Sequence, residues 1–283
     1  MKADLSEIYN AQLTDDEFNR LSQFIYTNYG IKMPPVKKIM LQSRLQKRLR
    51  VLQISNFKKY IEYVFSPDGQ EEVIQMIDVV STNKTDFFRE PVHFEFLMNE
   101  ALPAIVKHEQ IRQQVKIWSA GCSSGEEPYT IAMVTNEYRQ SHPNFDFSIL
   151  ATDISTEVLQ RGAQGIYKED RLEGIPINLI KSYFLRSKDR TKKLVRIVPE
   201  LRQRLSFKRL NFMDTHYSVQ DLFDVIFCRN ALIYFDHETQ ERVINKLCLH
   251  LKPDGFFFLG HSESITNMKV PLKHIKPTIF KKI

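Results

Sequence analysis

Between the apolar run VKIW and the run EEPYTIAMVTNEY, which has helical spacing, residues 119–130 read SAGCSSGEEPYT. Gly121 and Gly125 permit a tight turn and a close backbone approach to a ligand. A loop leading from strand to helix is also where open α/β sheets bind small molecules. The pattern GxxxGEE is neither the GxGxxG of dinucleotide sites nor a P-loop, and no GK[ST] follows. A phosphate at this helix start would meet Glu126 and Glu127, whereas a cationic ligand would be stabilised there. The next apolar run ends in ATD, which places Asp153 32 residues after Gly121. An acid there can accept hydrogen bonds from both hydroxyls of a ribose. Ribose, positive charge and no phosphate together describe S-adenosylmethionine. Each acid also has an ordinary structural role. Glu in a first helical turn is favoured by the macrodipole by ~0.3–1 kcal/mol, and Asp after a strand often caps a helix.

These residues need a sheet to hold them. VKIWSA, FSILATD, RLSFKRLNF, FDVIFCRN, PDGFFFLG and PTIFKKI read as strands, with helices at EEPYTIAMVTNEY, STEVLQRGA and Glu238–Leu251. Alternation of this kind predicts a mostly parallel sheet covered by helices. The interruption at 165–204 is too long for an ordinary connection and predicts a small subdomain. Upstream the texture is helical. Thr14 and Glu17 form a capping-box pattern, Leu13 and Phe18 sit at staple positions, and Gly30 offers a stop. A second helix is expected from Val36 to Leu52, with Leu41, Leu45, Leu49 and Leu52 on one side and Lys37, Arg44 and Arg48 on an adjoining stripe. Shorter helices are expected at Phe57–Phe65, Gln70–Val80 and near His93–Val106, with STNKTDFFREP as a linker. The expected organisation is a helical domain at 1–80, a linker contributing to the site at 81–100, and a catalytic domain at 101–283 that contains the insert.

The chain of 283 residues is 42% hydrophobic and 26% charged, which describes a soluble globular protein. No apolar stretch approaches a membrane span, and MKADLSEIYN lacks the apolar core of a signal peptide, so a cytoplasmic protein without membrane insertion is expected. Cys122, Cys228 and Cys248 form no CxxC pair, and the eight histidines contain no HExxH or close pair. Neither a disulfide framework nor a metal site is expected. The formal charge of +6 suggests acidic partners only where it is clustered, as it is between Lys32 and Lys59 and between Lys181 and Arg209.

TNKTDFFRE at 82–90, WSAGCSSGEEPYTIAM at 118–133, ATDIS at 151–155, CRNALIYF at 228–235 and LKPDGFFFLGHSES at 251–264 together resemble the CheR-type chemotaxis receptor methyltransferases. The resemblance implies a Rossmann-like S-adenosylmethionine methyltransferase domain carrying a small β-subdomain, preceded by an all-α domain. It implies methyl transfer from S-adenosylmethionine to glutamate side chains on receptor cytoplasmic helices. Cofactor contacts carried over from the family fall on Asn83, Thr85, Arg89, Glu127, Asp153, Asn211, Phe212, Arg229 and Asn230. Arg89 and Tyr234 carry over to the reacting centre. Ala231 stands where the family often has a hydrophobic residue. Methyl-accepting chemotaxis receptors are the partners implied, and a monomer is expected.

Two other readings have their own signatures. An amino-group methylase acting on nucleic acid would carry [DN]PP[YF] where this chain has CRNALIYF, and its basic segment would be interleaved with aromatics. From Lys32 to Lys59 only Phe57 is aromatic, so no nucleic-acid partner is expected. A signalling module that binds the cofactor without transfer would have no use for Arg89 and Tyr234. Receptor helices are rich in Glu around methylation sites, so Lys37, Arg44 and Arg48 are candidates for substrate docking by charge complementarity. In the insert, LVRIV is a candidate exposed strand edge for a receptor C-terminal peptide. Asp153→Ala is expected to weaken cofactor binding, and Asp153→Asn to be milder.

Overall fold

The computed structural model describes residues 5–108 and 114–283. Residues 1–4, at the beginning of the expected helical domain, and 109–113, within the expected catalytic domain, lie outside the described residues.

Helix α1 (Leu5–Asn10) precedes α2 (Asp15–Tyr29). The Thr14 hydroxyl accepts from Glu17 N at 3.2 Å, and the Glu17 carboxylate accepts from Thr14 N at 2.9 Å, so the capping box closes. Gly30 ends α2 at φ 71°, a left-handed position that favours glycine. A 3-10 turn at Pro35–Lys37 leads into α3 (Lys38–Leu52). Leu41, Leu45 and Leu49 are fully buried in one apolar cluster with Leu21, Ile25, Phe57 and Ile77, while Leu52 is only half-buried at its edge. Helices α4 (Phe57–Val64) and α5 (Gln70–Val80) complete this unit.

The stripe beside those leucines is not a free docking face. Arg48 donates from Nε and Nη2 to the two carboxylate oxygens of buried Glu72 at 2.8 and 2.6 Å, and the Tyr60 hydroxyl also donates to Glu72. Arg44 donates to the carbonyls of Val80 and Ser81 at the end of α5. Helical periodicity placed both arginines beside the apolar face correctly. It could not show that α5 lies there with a carboxylate and unpaired carbonyls to receive them. Of the three proposed docking residues, only Lys37 keeps its side chain toward the active cleft.

Residues 81–91 then run without helix or strand into α6 (Val92–Phe96), a π-turn at Leu97–Ala101 and α7 (Leu102–His108). Alternation follows: β1 (Gln114–Ala120), α8 (Glu126–Gln140), β2 (Asp146–Asp153) and α9 (Thr156–Gln164). The Asp78 carboxylate of α5 accepts from Thr156 N at 2.8 Å and from the Thr156 hydroxyl at 2.6 Å. The helical unit thereby satisfies a free N–H at the start of α9 and is seated against the sheet.

The insert contains β3 (Ile166–Lys168), α10 (Ile177–Tyr183), β4 (Phe184–Arg186), β5 (Leu194–Ile197) and α11 (Pro199–Arg202). Its three strands are antiparallel in the order β3-β5-β4. The strand within LVRIV is therefore central, with both edges paired, and it cannot accept an added strand. The outer edges belong to β3 and β4.

The chain returns through β6 (Leu205–Arg209), β7 (Phe223–Cys228), α12 (His237–Leu249), β8 (Leu251–Leu259), β9 (Leu272–Lys276) and β10 (Ile279–Lys282). The main sheet runs β6-β2-β1-β7-β8-β10-β9, parallel from β6 to β8, with β10 antiparallel to both its neighbours. Strand β9 carries no readable pattern, because four of its five residues are exposed at the sheet edge. Every residue of β7 is buried, as a central strand covered on both faces requires. Phe227 stacks on Phe258 at 4.2 Å on one face, while Ile226 and Phe257 join Trp118 on the other.

Candidate active site

The turn after β1 is built on left-handed backbone at Gly121 (φ 84°), Ser123 (φ 47°) and Gly125 (φ 98°). A Cβ on Gly121 would lie 2.9 Å from that of Ala231, so the loop after β7 can approach only because this position is glycine. Gly121 N and Cys122 N both donate to the Thr152 carbonyl, which ties the turn to the end of β2. Cys122 and Cys228 are buried, and burial pushes both thiols up, away from the reactive thiolate form.

Adjacent acids in this turn have separate roles. Glu126 points away from the cleft and accepts from the Ser124 hydroxyl at 2.7 Å and from Arg171 at 2.9 Å. Glu127 faces the cleft, accepts from the Ser119 hydroxyl at 2.7 Å and lies 3.4 Å from Nη1 of Arg229. Burial raises the Glu127 pKa, and Arg229 and Ser119 pull it back in part. Asp153, at the end of β2, accepts from Ser123 N at 2.8 Å and Ser155 N at 3.0 Å. Burial raises its pKa against the backbone N–H groups that lower it. A carboxylate has about four lone-pair sites, so these two bonds leave acceptor capacity toward the cleft.

Arg229, just after β7, organises the opposite wall. It donates through Nη2 to the Arg89 carbonyl and to Glu90 Oε2 at 3.0 Å, and its guanidinium lies 5.3 Å from the centre of the Phe94 ring. Its Nε is buried without a partner among the described residues. Glu263 accepts from Gly260 N, Asn230 N and Leu232 N at 2.7–2.9 Å and so fixes the CRNALIY loop. Tyr234 ends the turn at Leu232–Tyr234. Burial raises its pKa, opposed by Arg89 and Arg44, so its hydroxyl stays protonated at neutral pH.

These walls enclose a cavity of about 300 Å³. The linker contributes Asn83, Thr85 and Arg89, and the ends of β1 and β2 contribute Glu127 and Asp153. Asn211 and Phe212 come from beyond β6, and Arg229, Asn230 and Tyr234 from beyond β7. Lys37 stands at the rim with its ammonium 5.9 Å from the Tyr234 ring centre, while Arg44 and Arg48 lie outside the lining. The Asn211 side chain bridges elsewhere, donating to Asn28 O of the helical unit at 2.8 Å and accepting from Met213 N.

Two further carboxylates, Glu90 and Glu263, hold the site together without any sequence signal of their own. Both lie inside the quoted motifs FFRE and GHSES, but their partners are backbone groups and an arginine brought in from far along the chain. The fold also makes a histidine pair that sequence spacing hides. His93 and His261 have ring centres 5.2 Å apart, and with Glu90 they form the one group among the described residues whose spacing could hold a metal ion. The Arg229 guanidinium already stands on the same Glu90 oxygen and supplies a positive charge there.

Comparison with known proteins shows the family. The family model described as "CheR methyltransferase, SAM binding domain" matches residues 83–280, and "CheR methyltransferase, all-alpha domain" matches residues 16–81. The chain belongs to the CheR methyltransferase family. It is 42% identical over 276 residues to a chemotaxis protein methyltransferase of Borreliella burgdorferi, covering 96% of each chain. It is 37% identical to the chemotaxis protein methyltransferase of Escherichia coli K12, covering 91% of this chain and 87% of that one. It is 36% identical to chemotaxis protein methyltransferase 2 of Pseudomonas aeruginosa, covering 94% and 93%. The protein is an S-adenosylmethionine-dependent methyltransferase of chemotaxis, with an all-α unit before a mixed sheet. The cavity suits that cofactor: two carboxylates for cationic and hydroxyl groups, an unpartnered Arg229 Nε for an acceptor, and apolar wall from Phe212. Among the described residues, no helix is long and apolar enough to cross a membrane.

Proposed function

We propose that this protein methylates glutamate side chains on the cytoplasmic helices of chemotaxis receptors, acting as a cytoplasmic monomer. The observation that carries this reading is the joint placement of Arg89 and Tyr234 on a cavity whose inner wall carries Glu127 and Asp153. S-adenosylmethionine supplies an electrophilic methyl group on a sulfonium. Glu127 and Asp153 would hold its cationic and ribose parts. Asn83, Thr85, Asn211, Phe212, Arg229 and Asn230 would shape the remaining wall.

A glutamate acceptor needs no general base, because with a reference pKa of about 4.3 it is already ionised at neutral pH. The reacting charges, carboxylate and sulfonium, are partly neutralised in the transition state as the C–O bond forms and the C–S bond breaks to leave a neutral ester and thioether, so alignment and exclusion of water matter more than proton transfer. Arg89 would orient the incoming carboxylate by charge, and the protonated Tyr234 hydroxyl would donate a hydrogen bond beside the reacting atoms. Lys37 at the rim would meet acidic residues flanking the acceptor.

The deciding experiment is transfer from methyl-labelled cofactor to receptor, with label released as methanol by mild base. Label stable to mild base, or transferred to duplex nucleic acid instead, would overturn the assignment to a glutamate ester. Tyr234→Phe should lower kcat while leaving binding of S-adenosylhomocysteine within a few-fold of wild type, and Arg89→Ala should lower kcat and weaken that binding as well.

A further inference from the structure

The linker at 81–91 lines the cofactor cavity without belonging to a helix or strand, so its carbonyls need partners from elsewhere. One partner comes from the β-subdomain. Arg171, in the turn Glu169–Leu172 just after β3, donates through Nη2 to the Thr85 carbonyl and, at 2.9 Å, to Glu126 Oε1. Its Nη1 lies 3.1 Å from Asp86 Oδ1. A single planar guanidinium therefore joins the linker to the start of α8, a geometry that lysine's point charge cannot reproduce. Apolar contacts reinforce it: Phe87 packs edge-on against Tyr167 of β3 at 5.0 Å and against Phe184 of β4 at 5.5 Å. Tyr167 also donates to the Ser124 carbonyl, in the turn that presents Glu127, at 2.8 Å.

We infer that Arg171 is a positioning residue that latches residues 85–86 over the cofactor cavity, so that the β-subdomain sets cofactor affinity. Arg171 itself is not part of the cavity lining. It acts by fixing the direction of the Thr85 peptide, and with it the neighbouring side chains of Asn83, Thr85 and Arg89. The β-subdomain thereby becomes an element through which a change in the insert reaches the methyl-donor site. This inference rests on the proposed reading of the cavity as the cofactor site.

The test is titration of the full-length protein with S-adenosylhomocysteine, together with steady-state kinetics and amide hydrogen exchange. Arg171→Ala should weaken binding by about tenfold, as loss of charged hydrogen bonds does. It should raise KM for S-adenosylmethionine by a similar factor, with kcat at saturation within about twofold. Amides of 83–88 should exchange faster while those of β1, β7 and β8 stay protected. Arg171→Lys should recover only part of the affinity, and it provides the same readouts if the alanine variant does not fold. A lower Tm with unchanged affinity and unchanged exchange at 83–88 would make Arg171 merely structural and overturn the latch. Asp153→Ala separates the two ideas. If it loses binding while both Arg171 variants keep it, the latch falls alone; if it binds as wild type does, the reading of the cavity falls and the latch with it.

Discussion

Nη1 of Arg44 lies 3.0 Å from the carbonyl oxygen of Ser81 and also donates to that of Val80. A residue placed by helical spacing on a basic stripe thus closes the C-terminal end of α5, where carbonyls lack helical partners and a cation is favoured. The linker that lines the cavity begins at this point. Arg44→Glu should cost about 1–2 kcal/mol of stability and weaken cofactor binding, instead of raising receptor KM alone. Urea unfolding alongside cofactor titration checks this, and wild-type values in both would count against the contact.

Arg48 and Glu72 form a bidentate pair in which the Glu72 side chain is 3% exposed. Arg48→Ala leaves that carboxylate beside the Tyr60 hydroxyl without its cation, and the expected loss is about 3–5 kcal/mol in denaturant unfolding. Replacing both partners by apolar residues should recover most of it.

Asp153 accepts backbone N–H bonds from Ser123 and Ser155 as well as facing the cavity. An asparagine there would turn an NH2 group toward one of these donors. The structure therefore revises the sequence-based expectation: Asp153→Asn should weaken cofactor binding about as much as Asp153→Ala, by ~1–3 kcal/mol. Calorimetry showing a much milder asparagine variant would place its carboxylate outside the turn.

Burial lifts the Glu127 carboxyl above its ordinary 4.5. In the cofactor-free protein the stability linked to this group is fully present below 4.5 and lost as pH rises through the raised value, because the folded state favours the protonated form. A cationic ligand favours the carboxylate, so cofactor binding should weaken as pH falls through that raised value, with protons released on binding. Calorimetry in buffers of different ionisation enthalpy measures the release, and Glu127→Gln should abolish it.

His93 is fully buried, and burial, with help from Arg229, lowers its pKa from 6.5 to about 4 against the opposing pull of Glu90. Above pH 6.5 the ring is neutral in folded and unfolded chains alike. Between 6.5 and 4 the unfolded chain takes up the proton and the folded one does not. This residue alone should therefore remove about 2 kcal/mol of stability by pH 5. Denaturant unfolding at pH 7.5 and pH 5 should show a smaller loss in His93→Gln.

Much of the architecture follows from short-range chemistry. The box at Thr14 and Glu17, the stop at Gly30 and the span of α5 depend on residues within a turn or two of each other, where periodicity and capping act. The apolar strands and the glycines at 121 and 125 likewise specify a parallel sheet with a ligand-binding turn, since only glycine accommodates those torsions beside a second loop. The sequence motifs also contain Glu127, Asp153, Arg229 and Tyr234, which the fold brings to one cavity.

What each charge does was decided by tertiary structure. Glu126 and Glu127 are neighbours in the chain, yet one turns to Arg171 and the other to the cavity and Arg229. Arg44 and Arg48 look alike on a helical stripe until α5 supplies carbonyls and a carboxylate beside them. The strand in LVRIV reads as an edge until β3 and β4 pair with its two sides. The sequence determined which elements form, because local torsions and apolar periodicity are properties of short segments. A charged side chain takes its role from the partner it reaches, and these partners were joined only when distant elements packed together.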